Sequence, residues 1–150
     1  MSNRLLAEVV GTFGFFFIGF SGIAASVNLP GSIASAGVAA GFGLGLGLMI
    51  AAFGQISGGH YNPAVTLALW ARRSLPLRLV APYVLAQVVG ASLAALTLRG
   101  SLGPIGDLGA TVPSGGSGQA FLWELVLTAI LVSVILAVAI AGGPEPSRIP

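Results

Sequence analysis

The chain is 150 residues long; 55% of its residues are hydrophobic and only 7% are charged. Soluble domains carry about 25% charged residues, so this composition, with a mean hydropathy of +0.99, excludes an ordinary soluble domain and indicates an integral membrane protein. Six arginines against four acids record membrane topology rather than affinity for nucleic acid, and the lack of cysteine excludes disulfides and thiolate metal sites within this chain.

No Asp, Glu, Lys or Arg falls between Val9 and Ala71. One span takes about 20 apolar residues, so this block holds two spans with residues left over. Span 1 is expected over about 5–27. Arg4 before the apolar run and Ala24-Ala25-Ser26 within it resemble the parts of a signal peptide. A signal's apolar region is only about 7–15 residues, whereas this one runs from Val9 to Val27, so the span is read as retained. Asn28-Leu29-Pro30-Gly31 is a turn cluster. Span 2 is expected over about 34–56, with Gly41, Gly43, Gly45 and Gly47 suited to close helix approach. Residues 57–71 are the surplus, ahead of Arg72 and Arg73. Span 3 follows over about 79–99, then a Gly/Ser/Pro-rich loop over 101–119, span 4 over about 120–141 and a proline-rich tail.

Arg4, Arg72, Arg73, Arg78 and Arg148 fall on one side of this layout, Arg99 and Asp107 on the other. Four spans with both termini in the cytoplasm satisfy the positive-inside bias. Both ends of the 57–71 segment then lie on the cytoplasmic side, so it does not cross. Pro63 to Arg72 as helix reaches about 15 Å, half of a hydrocarbon core of about 30 Å. Irregular backbone at that depth is tolerated where protein buries it or where it lines a wet cavity. The segment is therefore read as re-entrant, a loop that dips to the midplane and returns as a half-helix.

Asn62-Pro63 is a good helix start, with Asn capping orphan N–H groups and Pro favoured at the first helical position. A half-helix beginning there brings its positive dipole end and a side-chain amide to the middle of the membrane. The glycine-rich stretch Ser57 to Tyr61 offers backbone carbonyls leading inward. A row of acceptors ending at a donor suits water or a small polyol in single file and repels a cation. An ordinary loop with a capped interfacial helix is the plainer alternative; the charge-free surroundings favour the re-entrant form.

His60-Tyr61-Asn62-Pro63-Ala64-Val65-Thr66 resembles the first Asn-Pro-Ala signature of the aquaporin and glycerol-facilitator (major intrinsic protein) family. Ala7-Glu8-Val9-Val10-Gly11-Thr12-Phe13 is similar to that family's opening helix, Tyr83 to Ala91 to its third, and Glu124-Leu125-Val126-Leu127-Thr128 to the start of its fourth. The resemblance implies an all-α membrane protein, an aquaporin-like right-handed bundle built from an inverted repeat, with one hourglass pore per subunit of a homotetramer. Residues 1–100 then form the first repeat, 101–119 an extracytoplasmic loop, and 120–150 the first span of the second repeat with a cytoplasmic tail. It also implies site residues: Asn62, Pro63 and Ala64 as the pore motif, and Gly59, His60 and Tyr61 as suppliers of pore-facing carbonyls. Phe42 falls where the family places an aromatic of its selectivity constriction; spacing alone favours a core- or lipid-facing ring, and only the resemblance implies the constriction. Glu8, Gln87 and Glu124 would support the re-entrant loops, although Glu8 and Glu124 also suit an interfacial position near a helix N-terminus, and Gln87 a helix-to-helix contact. The implied function is passive permeation of water, with glycerol and other small neutral solutes also compatible. The implied setting is the lipid bilayer of the cell membrane, with no enzymatic activity, catalytic residue, metal, cofactor or nucleic acid.

Glu8 precedes Asn62 by 54 residues (62 − 8), and the same interval from Glu124 falls at 178, beyond Pro150. The chain is therefore expected to be a truncated member, with a non-conducting remnant or modifying subunit as the alternative. A remoter reading takes Gly19-Phe20-Ser21-Gly22 as the nucleophile motif of a rhomboid-like intramembrane protease, with His60 as its base.

Overall fold

The computed structural model describes residues 2–27 and 31–141. The turn cluster around Pro30, the tail from Gly142 and with it Arg148 lie outside the described residues. Five helices occur in chain order: α1 (Ser2–Ser26), α2 (Gly31–Ser57), α3 (Pro63–Ala71), α4 (Leu77–Leu102) and α5 (Ser117–Ala141). A single 3-10 turn (Ile105–Gly109) lies between α4 and α5. No strand occurs among the described residues. The long helices α1, α2, α4 and α5 are each long and apolar enough to cross a membrane. They extend one to three residues beyond the expected spans at most ends, because polar residues at the interfaces, such as Ser2, Asn3 and Ser117, continue the helical hydrogen bonding at no cost where water is at hand.

Helix α1 is held between α2 and α4, and glycines make both contacts. A Cβ on Gly45 would stand 3.2 Å from the Phe15 carbonyl oxygen, and one on Gly41 3.4 Å from that of Ile18. On the other side, a Cβ on Gly90 would stand 3.0 Å from the Phe13 nitrogen. Close approach of backbones is how membrane helices associate when burial of apolar surface gives no net gain. The expectation for α2 needs one correction. Gly41 and Gly45 face α1, but Gly43 and Gly47 meet nothing within 4 Å. Residues four apart share a helix face and residues two apart do not, so the four glycines form two stripes and only one is used.

Polar side chains are buried beside apolar ones, while many large apolar side chains are exposed. Glu8, Thr12, Ser57, His60, Thr66 and Gln87 are buried, while Leu44, Leu48, Leu85, Leu96, Phe121 and Leu125 face outward. That distribution suits a lipid environment, where apolar side chains face outward and polar groups must find partners inside. An apolar cluster of Leu75, Leu79 and Tyr83, flanked by Leu5, Leu69 and Val80, ties the start of α1 to the end of α3 and the start of α4. Helix α5 touches the rest of the fold through α3 only, among the described residues.

Candidate pore site around Asn62

Between the end of α2 and the start of α3 the chain makes a five-residue non-helical passage, Gly58 to Asn62. Its conformation requires φ values that Cβ-bearing residues avoid: +97° at Gly58, +64° at Gly59 and +45° at Tyr61. Glycine takes the first two readily. Tyr61 is held there by its surroundings. Its ring lies directly on Gly11 of α1, where a Cβ would overlap the Cε1 and Cζ carbons, and its hydroxyl donates to the Met49 carbonyl of α2 at 3.1 Å.

Glu8 organises the passage from α1. Its Oε1 accepts from the Ser57 hydroxyl at 2.6 Å and the His60 N–H at 3.1 Å; its Oε2 accepts from the Tyr61 N–H at 2.9 Å and the Gln87 amide at 2.8 Å. Four donors on one fully buried carboxylate are what its desolvation demands. The consequence for the backbone follows from peptide planarity. In a trans peptide the N–H and the preceding C=O point in opposite directions, so turning the His60 and Tyr61 N–H groups onto Glu8 turns the Gly59 and His60 carbonyls away from it. Among the described residues, the carbonyls of Gly58, Gly59, His60 and Tyr61 accept no hydrogen bond.

Gln87 of α4 extends the network. Its Nε2 also donates to Thr66 Oγ1 at 2.9 Å, and Thr66 donates to the Asn62 carbonyl at 3.1 Å. His60 Nδ1 lies 3.1 Å from the same hydroxyl oxygen. With the Thr66 proton given to Asn62, His60 Nδ1 is the donor in that contact and Nε2 carries the lone pair. The His60 ring also rests on Tyr83, centroids 4.9 Å apart, and the Tyr83 hydroxyl donates to the Ser57 carbonyl at 2.8 Å. Two buried atoms, Thr12 Oγ1 and Gln87 Oε1, have no partner.

At the end of the passage Asn62 caps α3 with extended φ and ψ, its Oδ1 accepting from the Ala64 N–H at 2.8 Å, and Pro63 is the first helical residue. This cap uses the side-chain oxygen and leaves Nδ2 without a partner among the described residues. Asn62 is half-buried. A donor pair therefore stands at the start of α3, next to the four unclaimed carbonyls.

The remaining expected residues are placed as follows. Pro63 is exposed and Ala64 half-buried. Phe42 is half-buried in an aromatic cluster, with ring centroids 5.7 Å from Phe15, 6.4 Å from Phe16 and 6.1 Å from Phe20, and its ring lies on Gly19. Glu124 is exposed on α5, which meets only α3 among the described helices. Ser21 donates to the Phe17 carbonyl of its own helix at 2.7 Å. His60 is tied to Glu8, thirteen residues from Ser21 and so about 20 Å along α1. The protease pairing of Ser21 with His60 is therefore overturned: no rotamer change closes that gap.

Sequence reasoning assigned no role to the side chains of Ser57, Thr66 and Tyr83 or to Gly11, which complete the site. Tyr83 and Gln87 are four residues apart on α4, hence on one face, and that spacing was the available signal. The role of Gly11 had none, because it depends on where Tyr61 lies in space.

The chain matches the Major intrinsic protein family over residues 1–147. Among curated proteins it is 41% identical to Nodulin-26 of Glycine max over 138 residues, which cover 91% of this chain and 51% of that protein. It is 37% identical to Aquaporin NIP1-2 of Arabidopsis thaliana over 145 residues, covering 91% of this chain and 49% of the relative. With the Probable aquaporin AqpM of Archaeoglobus fulgidus it shares 38% identity over 169 residues, 97% of this chain and 69% of the relative. The chain thus spans about half the length of the plant relatives. The four apolar helices and the match along nearly all of its length make this chain a member of the major intrinsic protein family, a family of membrane channels and not of enzymes.

Proposed function

We propose that this chain is a water-channel polypeptide in which single-file water passes the Gly59–Tyr61 carbonyls and then the Asn62 amide. One observation carries this reading: the passage from Gly58 to Tyr61 spends its N–H groups on the Gly54 carbonyl, the Ser57 hydroxyl and Glu8 and leaves its carbonyls unclaimed, next to an Asn62 Nδ2 that is also unclaimed. Water can accept from that amide while donating to a carbonyl. A cation meets donors and the positive end of α3 instead. Pro63 and Ala64 would pack against an opposing half-helix, Phe42 would narrow the entrance after its ring leaves the Phe15–Phe20 cluster, and Glu124 would support a second loop as Glu8 supports the first. Small neutral solutes such as glycerol, a homotetramer, a cell-membrane location and cytoplasmic termini belong to the same reading.

A second reading is favoured by α5 and α3 themselves. No second half-helix faces α3 among the described residues, and α5 is in contact with α3 alone. On this reading the chain conducts only when further helices complete the pore.

The test is stopped-flow osmotic shrinkage of liposomes carrying the chain, against empty liposomes and an Asn62→Asp variant. Asp keeps the side-chain oxygen that caps α3 and removes the amide donor. Permeability above the lipid background that falls in Asn62→Asp is the expected result if the chain assembles its own pore. No increase, from chain shown to be inserted, rejects autonomous conduction and leaves the completed-pore reading.

A further inference from the structure

Four of the six arginines, Arg4, Arg72, Arg73 and Arg78, stand at one end of the bundle, where α1 and α4 begin and α3 stops. Glu8, the one acid in α1 to α4, is fully buried and engaged by four donors, so it does not neutralise Arg4, Arg72 or Arg73. Asp107 lies at the other end, in the turn that packs over Phe20 and Ile23 of α1.

The termination of α3 sets two of these arginines apart. The Ser74 N–H donates to the Leu69 carbonyl at 2.9 Å and the Arg73 N–H to the Trp70 carbonyl at 2.8 Å. This is the paired closure of a Schellman motif, whose left-handed position is filled most easily by glycine. Here Arg73 takes it, at φ +66°. In a chain with 23 glycines, an arginine in a conformation that disfavours it argues that the side chain is what matters there. Arg72, the C-cap, is exposed beside it, and both residues follow the negative end of the α3 dipole, which favours cations there. Two exposed arginines on a rigid corner at the edge of a membrane bundle match the phosphates of anionic lipids.

We propose that Arg72 and Arg73, within the positive field of Arg4, form a binding site for anionic phospholipid headgroups in the leaflet at that end of the bundle. The site stands whether or not the chain conducts water, so its failure and the failure of the channel reading are separable.

Trp70, two residues before Arg72, provides a local probe once the other tryptophan is removed by Trp123→Phe. The chain is reconstituted in vesicles of brominated phosphatidylglycerol with ordinary phosphatidylcholine, and in the reverse pairing. Trp70 quenching then reads which headgroup sits beside it. A preference for phosphatidylglycerol of about fivefold per arginine is expected at low salt, reduced at high salt by screening. It should vanish in Arg72→Gln/Arg73→Gln, persist in Arg72→Lys/Arg73→Lys, and be unaffected by Arg99→Gln at the opposite end; the single glutamine variants serve if the pair fails to insert. Equal quenching by both lipids in the unsubstituted chain, or a preference that survives the glutamine substitutions, overturns the proposal. Inorganic phosphate at matched ionic strength should not abolish the preference; if it does, the arginines bind free phosphate and the lipid assignment fails.

Discussion

Glu8 sets the backbone of the candidate site because it is the single acceptor on which Ser57, His60, Tyr61 and Gln87 converge. Glu8→Gln keeps the side-chain shape but loses the charge and puts an amide donor where N–H and O–H groups already donate. Each buried donor left unpaired costs about 1–3 kcal/mol, so the variant should lose about 3 kcal/mol or more, read as thermal unfolding in detergent by circular dichroism. Tyr61→Phe removes only the bond to the Met49 carbonyl and should cost about 1 kcal/mol. If the two variants melt alike, the convergence on Glu8 does not hold the passage. Gly11 is the complementary case: Gly11→Ala drives a methyl into the Tyr61 ring, an overpacking that costs about 1–3 kcal/mol, and it should also raise hydrogen exchange at the His60 and Tyr61 amides as they leave Glu8.

At the scale of elements, helix contacts in this fold depend on which glycine stripe meets a neighbour. Gly90→Ala and Gly45→Ala place a Cβ against backbone of α1 and should push α4 or α2 away from it. Gly43→Ala and Gly47→Ala meet open space and replace a poor helix former by the best one, a gain of about 0.5–1 kcal/mol in each case. The sign of the change in melting temperature therefore separates the two stripes, and destabilisation by Gly43→Ala would contradict the packing described. Helix α3 is short enough that its caps matter: Asn62→Ala should cost about 1 kcal/mol by removing the bond to the Ala64 N–H, with the same melting readout.

At the scale of the molecule, the chain divides unequally. Helices α1 to α4 share the Glu8 network and the apolar cluster, while α5 offers apolar side chains on all faces and rests on α3 alone. A helix apolar all round is one that lipid or protein must surround. Ending the chain after Gly116 should therefore leave the unfolding of the remaining helices within about 1 kcal/mol of the whole chain. Collapse of the melting transition on that truncation would mean that α5 carries tertiary stability beyond its contact with α3.

The number, order and approximate extent of the long helices were legible in the sequence because hydropathy is a property of consecutive residues, and a charge-free run from Val9 to Ala71 admits few layouts in a bilayer. So was the start of α3, since Asn62-Pro63 acts through hydrogen bonds to its immediate neighbours. The motif His60 to Thr66 and the stretches around Glu8 and Gln87 also indicated the family. What the tertiary structure alone decided is how the parts meet. Glu8 and the Tyr61 N–H are 53 residues apart and Glu8 and Gln87 are 79 apart, and no local pattern distinguishes a carboxylate that clamps a loop from one that sits at an interface. The same holds for the division of the α2 glycines, for Phe42 lying among the α1 rings, and for Gly11 making room for Tyr61. Each depends on the rotation of one helix against another, which close backbone approach determines and hydropathy does not.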